Sequence, residues 1–117
     1  MPVHTTSQKM AREAYARITQ RCPSKEYTSF AREFPTLVHS CGLAQAVAFA
    51  LAKRGHQQQY VNDLAEVLSL TGYEQIADAN QLAEQTRGLP VSNYLRLSRD
   101  TLAAAVWLKR YVEAVEE

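Results

Sequence analysis

CGLAQAVAFALAKRG, residues 41–55, decides how the rest of the chain is read. Between its two glycines, Leu43 to Ala52 carries one polar side chain, Gln45, before charge returns at Lys53 and Arg54. A membrane span needs about 20 apolar residues, roughly twice this run, so no membrane partner is implied. The length suits a helix buried by its neighbours, with alanines that permit close approach and Phe49 and Leu51 filling the gaps. The expectation is a central apolar helix over about 43–54, covered by the second, fourth and last helices.

Outward from that run the apolar spacing is helical. Met10, Ala11, Ala14, Tyr15, Ile18 and Cys22 make the inward stripe of a first helix over about Thr6–Arg21. Ser24 is a good N-cap for a second, whose stripe Tyr27, Phe30, Phe34, Leu37, Val38, Cys41 stays in phase across Pro35. That phase predicts one kinked helix, not two. Tyr60, Val61, Leu64, Val67 and Leu68 mark a fourth over about Gln58–Leu70, and Leu82 centres a short one over Asn80–Arg87. The last, about Val91–Glu116, has a wide apolar arc that includes Leu95, Leu102 and Val106 as well as Leu97, Leu108 and Val112. Such breadth predicts more than one neighbour.

Gly42, Gly55, Gly72 and Gly88 each follow a periodic segment, where a positive φ ends a helix at little steric cost. Pro2, Pro23 and Pro90 sit before or at helix starts. No two-residue alternation and no Asn-Gly hairpin signal occurs. The predicted fold is all-α, a single domain over 1–117 built as a bundle of five to six helices.

With 117 residues and 46% apolar content the chain can bury one core. MPVHTTSQKMAR has no apolar run of the signal-peptide kind, which points to the cytoplasm. Cys22 and Cys41, without CxxC spacing, read as reduced, half-buried core residues.

Catalytic and cofactor signatures are missing: no GxGxxG, P-loop, HExxH, di-iron Glu-x-x-His pair or Asp-rich calcium loop. His39-Ser40-Cys41 comes nearest to a reactive group. On a helix, though, positions two apart point away from each other, so His39 is badly placed to activate Cys41. His4, His39 and His56 with two separated cysteines make no metal pattern. The chain reads as a non-enzyme without cofactor.

Charge is more telling than chemistry. Met1–Arg54 holds eight Lys or Arg against three acids, while Gly55–Thr86 holds five acids and no Lys or Arg, although the whole chain carries only +1. Basic residues also recur at helical spacing. Lys25, Arg32 and His39 are seven apart; Lys9, Arg17 and Arg21 share rungs of the first helix; Arg96, Arg99 and Arg110 form a strip with Trp107 at its margin; Lys53 and Arg54 close the central helix. Each strip alone reads as a solvated face. Together with the partition they fit a surface that tracks phosphates rather than reading bases. Trp107 fits a partly buried packing role better than base stacking. The acidic stretch is either soluble surface or a docking face for a basic neighbour, including another copy of the chain.

Tyr27–Arg54 resembles the signature of the small all-helical subunit of type III-B CRISPR effector complexes, the fifth Cmr protein. The matching positions are Tyr27, Ser29, Pro35, the run Gly42-Leu43-Ala44-Gln45-Ala46-Val47-Ala48-Phe49, and Lys53. Tyr94–Val115 is similar to the same family at Tyr94, Ser98-Arg99-Asp100 and Trp107-Leu108-Lys109-Arg110-Tyr111. Where the family often has Asn before Gly-Leu, this chain has Cys41. The resemblance implies a non-catalytic structural subunit of an antiviral ribonucleoprotein. Its partners would be other Cmr-type subunits, especially the backbone filament subunit, further copies of itself, and guide and target RNA. The alternative is a protein-interaction bundle with no direct RNA contact. Gln45 then has two readings, a buried amide meeting a helix-end carbonyl or a polar contact at a subunit boundary.

Overall fold

The computed structural model describes residues 5–116, so Pro2 and His4 lie outside it. The described residues form α1 (Thr6–Arg21), α2 (Lys25–Cys41), α3 (Leu43–Lys53), α4 (His56–Leu70), α5 (Ala79–Gly88) and α6 (Val91–Glu116), with no strand among them. This is the expected all-α bundle, with six helices.

Local chemistry sets the boundaries. Thr5 and Gln8 close a capping box on α1, each side chain accepting from the other's backbone N–H at 3.0 and 2.8 Å. Ser24 and Asp78 accept from Tyr27 N and Gln81 N to start α2 and α5. α2 runs on through buried Pro35 as one helix. Gly42 and Gly55, at φ 86° and 63°, make the breaks on either side of α3. Gly88, in contrast, is the last residue of α5 and ends it without a positive φ. No side chain of its own caps α3; the Tyr94 hydroxyl on α6 accepts from Ala44 N at 3.1 Å instead.

α1 and α2 both pack on α6, α4 packs against all five other helices, and α3, α4 and α5 pack on one another. The body is accordingly flat, 42 × 40 × 22 Å, two helices thick. The centre therefore belongs to α4, not to the apolar run 43–54. α3 buries Leu43, Ala46, Val47 and Ala50 against α2, α4 and α5, but leaves Gln45, Ala48 and Phe49 exposed. Alanine explains the difference: an Ala-rich helix looks apolar on all sides, yet an exposed alanine costs little.

The core joins Met10, Ala14 and Ile18 of α1 to Leu64 and Leu68 of α4 and Leu97, Leu108 and Val112 of α6. Beside it Tyr27, Phe30, Phe34 and Tyr60 interlock, with ring centroids 5.2–5.7 Å apart. Two residues of the α1 stripe leave it. Tyr15 is 58% exposed and meets Tyr111 edge-on. Cys22 is exposed rather than half-buried, because it takes a left-handed cap conformation at φ 48° that swings it out of helical register.

Candidate nucleic-acid interface

Ten cations were candidates from the sequence, and the packing sorts them by what faces each one across a helix boundary. α1 lies on α4, so two α1 arginines meet α4 carboxylates. Arg17 pairs with Glu66 at 2.8 Å. Arg21 donates through Nε and Nη2 to Asp63 at 3.0 and 2.7 Å. The Tyr27 hydroxyl donates to the same carboxylate at 2.5 Å. The Asp63 side chain is only 4% exposed, so this fork and phenol replace its hydration shell. The bond to Asp63 raises the Arg21 guanidinium above its ordinary value. Burial, reinforced by the neighbouring carboxylate, pushes the Tyr27 phenol far above its own. Arg17 and Arg21 thus hold two helices together. Arg32 is also engaged, with Glu113 of α6 at 3.6 Å.

Four other groups gather where α1 gives way to α2 and α3 to α4. The Ser24 hydroxyl lies 3.2 Å from His56 Nδ1 and ties these two connections into one corner. Lys25, Lys53 and Arg54 are exposed there, beside half-buried His56. Lys53 Nζ stands 5.2 Å over the Phe49 ring, leaving its charge in solvent. The carboxylate nearest His56 is that of exposed Glu26, 3.9 Å from Nε2. α4 begins at this corner with no side chain capping its first turn, so its positive end adds to the field.

The remaining candidates lie elsewhere. Lys9 shares a recess with Gln8, Arg12, Glu13 and Leu70, about 18 Å along α1 from Arg21 at 1.5 Å per residue. Arg99 and Arg110 flank Trp107 in a shallow groove on the outer face of α6, and Arg96 is exposed on the same helix. Trp107 is partly buried and stacks on Tyr111 at 5.8 Å, a packing role.

The charge partition of the sequence is therefore partly cancelled in space: Asp63 and Glu66 of the acidic stretch neutralise α1 arginines. Gln45 is exposed, so the buried-amide reading fails. Cys41 donates to Leu37 O at 3.2 Å and Ser40 to Thr36 O at 2.8 Å, while His39 is exposed, so the three do not act together. Among the described residues no three His, Cys, Asp or Glu side chains are placed to hold a metal ion, and no helix is long and apolar enough to cross a membrane. The Asp63 lock was missed from sequence, although a signal existed: Asp63 falls on the Tyr60–Leu64–Val67 apolar stripe, three residues after Tyr60 and four before Val67.

Comparisons with known proteins agree with this architecture. Residues 6–115 match the family model described as CRISPR-associated protein (Cas_Cmr5). The chain is 39% identical over 120 residues to the CRISPR system Cmr subunit Cmr5 of Thermus thermophilus, across 98% of this chain and 99% of that one. It is also similar to the crystal structure of a CRISPR-associated Cmr5 family protein from the same organism, with a TM-score of 0.85 and 36% identity over 96% of this chain and 98% of the other.

Proposed function

The chain belongs to the Cas_Cmr5 family of CRISPR-associated proteins, and from that premise we propose that it is a non-catalytic structural subunit of a cytoplasmic Cmr ribonucleoprotein. In this reading it stacks along the backbone filament beside other Cmr subunits and further copies of itself, and touches guide or target RNA through phosphates. The observation that carries the RNA contact is the corner joined by the Ser24–His56 contact, where Lys25 starts α2 and Lys53 and Arg54 end α3. All three are exposed and, among the described residues, in no ion pair, although Lys25 shares a recess with Glu26 and Glu33. Flexible cations on helix ends suit backbone gripping, which is sequence-independent and releases counterions.

The test is the affinity of the isolated protein for labelled single-stranded RNA of mixed sequence, measured across a salt series. Wild type should bind weakly, with log affinity falling linearly as log salt rises. The variant Lys25→Glu/Lys53→Glu/Arg54→Glu should lose about a hundredfold in affinity and about 2 from the slope, near 0.7 per phosphate contact removed. A salt-independent wild type would end the reading, and an unchanged triple variant would move the RNA off this corner. The alternative, a protein-interaction bundle without RNA contact, draws support from Arg17, Arg21 and Arg32 all facing carboxylates.

A further inference from the structure

α6 carries two apolar stripes where a helix of one bundle needs one. Leu97, Ala104, Ala105, Leu108 and Val112 are buried against α1, α2 and α4. Val91, Leu95, Leu102 and Val106 form a second line, four, seven and four residues apart, alongside that stripe, with Leu102 also packed against the core. Val91 and Leu95 are 75% and 61% exposed, Leu102 and Val106 partly so. This spacing is that of a seam between two helices, and none of the described helices completes it.

We propose that this outer face of α6 docks an amphipathic helix of a neighbouring protein subunit, one whose apolar stripe is edged by carboxylates. Three arginines on the face argue for the acidic edge. Among the described residues Arg96 and Arg110 have no acidic partner within ion-pair distance, and Arg99, 76% exposed, reaches only Asp100, its sequence neighbour, at 3.9 Å. Asp100 in turn accepts from the Tyr73 hydroxyl, and Glu113 pairs with Arg32, so among the described side chains the carboxylates of this face are already engaged. Composition argues for protein rather than RNA. The groove between Arg99 and Arg110 is floored by Leu102, Ala103, Val106 and Trp107. An apolar floor with tryptophan and arginine matches the centre of protein interfaces, whereas RNA-binding surfaces are more polar. Because one face of Trp107 already stacks on Tyr111, the indole is a rigid wall and not a free platform for a base.

The proposal rests on the reading of the chain as a Cmr subunit, and the experiment separates the two. The full chain is mixed with the remaining Cmr subunits and RNA of the same source, and its retention in the assembly is measured by co-elution. Leu95→Glu/Val106→Glu keeps good helix formers at positions outside the buried stripe. It should lower retention roughly tenfold or more while circular dichroism and RNA affinity of the isolated chain stay at wild-type values. Arg99→Glu/Arg110→Glu should lower retention several-fold. Full retention of both variants overturns the docking face. A loss of RNA affinity in Leu95→Glu/Val106→Glu overturns it in favour of an RNA occupant. A wild-type chain that self-associates alone, and becomes monomeric in that variant, overturns it in favour of a second copy. Wild type that never enters the assembly instead overturns the subunit reading itself.

Discussion

Arg21 and Arg54 are both arginines at helix C-termini in the basic half of the sequence, yet they stand in opposite circumstances. Arg21 faces α4, where Asp63 is nearly out of solvent and Tyr27 closes the other side of the carboxylate. Arg54 stands past the end of α3, exposed, with no carboxylate bonded to it among the described residues. The α1–α4 seam turns its cations into scaffold, and the α2–α3–α4 corner leaves them for an external anion. The difference lies in what the neighbouring helix presents, not in the residue or its spacing. For an exposed cation with no partner, a phosphate adds interaction at little cost. For Arg21 it would first have to strip a guanidinium from a buried carboxylate.

The comparison breaks most readily at Asp63. Asp63→Ala strands the Arg21 fork and the buried Tyr27 hydroxyl together, and should cost about 3 kcal/mol or more in urea unfolding. RNA affinity of the protein that remains folded should be unchanged. A loss under about 1 kcal/mol would mean that the seam is ordinary surface. A smaller effect belongs to Tyr27→Phe, which removes one donor to Asp63 and keeps the ring in its aromatic cluster. The expected cost is about 1–2 kcal/mol.

Smaller still at neutral pH, but diagnostic, is the alkaline limb. Tyr27 and Tyr60 both have their phenols raised by burial, and Tyr73 is pushed up to about 12 by burial and its bond to Asp100. Folded values above the unfolded value of about 10 mean that this stability is complete below pH 10 and is lost as pH rises beyond it. Stability should therefore fall above about pH 10, less steeply in Tyr27→Phe. Equal slopes in the two proteins would remove Tyr27 from that account.

Much of the fold is legible in single-helix periodicity, because Met10, Ala14 and Ile18, or Tyr60, Leu64 and Val67, need only their own helix to declare a buried side. What is not legible is identity across a boundary. Arg21 and Asp63 are 42 residues apart, and nothing in the spacing of α1 says that a carboxylate will face it. The same limit misplaced the centre of the bundle. Leu43–Ala52 is uniformly apolar through its alanines, whereas α4 has Asn62, Asp63 and Glu66 among its hydrophobics and is still the helix that every other one touches. Of the site, the residues at the corner were legible as basic, but their convergence required the Ser24–His56 contact between two distant connections.

The most direct measurement sets the two kinds of cation against each other in one assay: the salt slope of RNA binding for Arg17→Gln and for Lys53→Gln/Arg54→Gln. Arg17 should leave the wild-type slope intact, since Glu66 already occupies it. The corner pair should reduce the slope by about 1.4, two phosphate contacts at 0.7 each. A slope reduced by Arg17→Gln and untouched by the corner pair would contradict the division between scaffold and gripping cations.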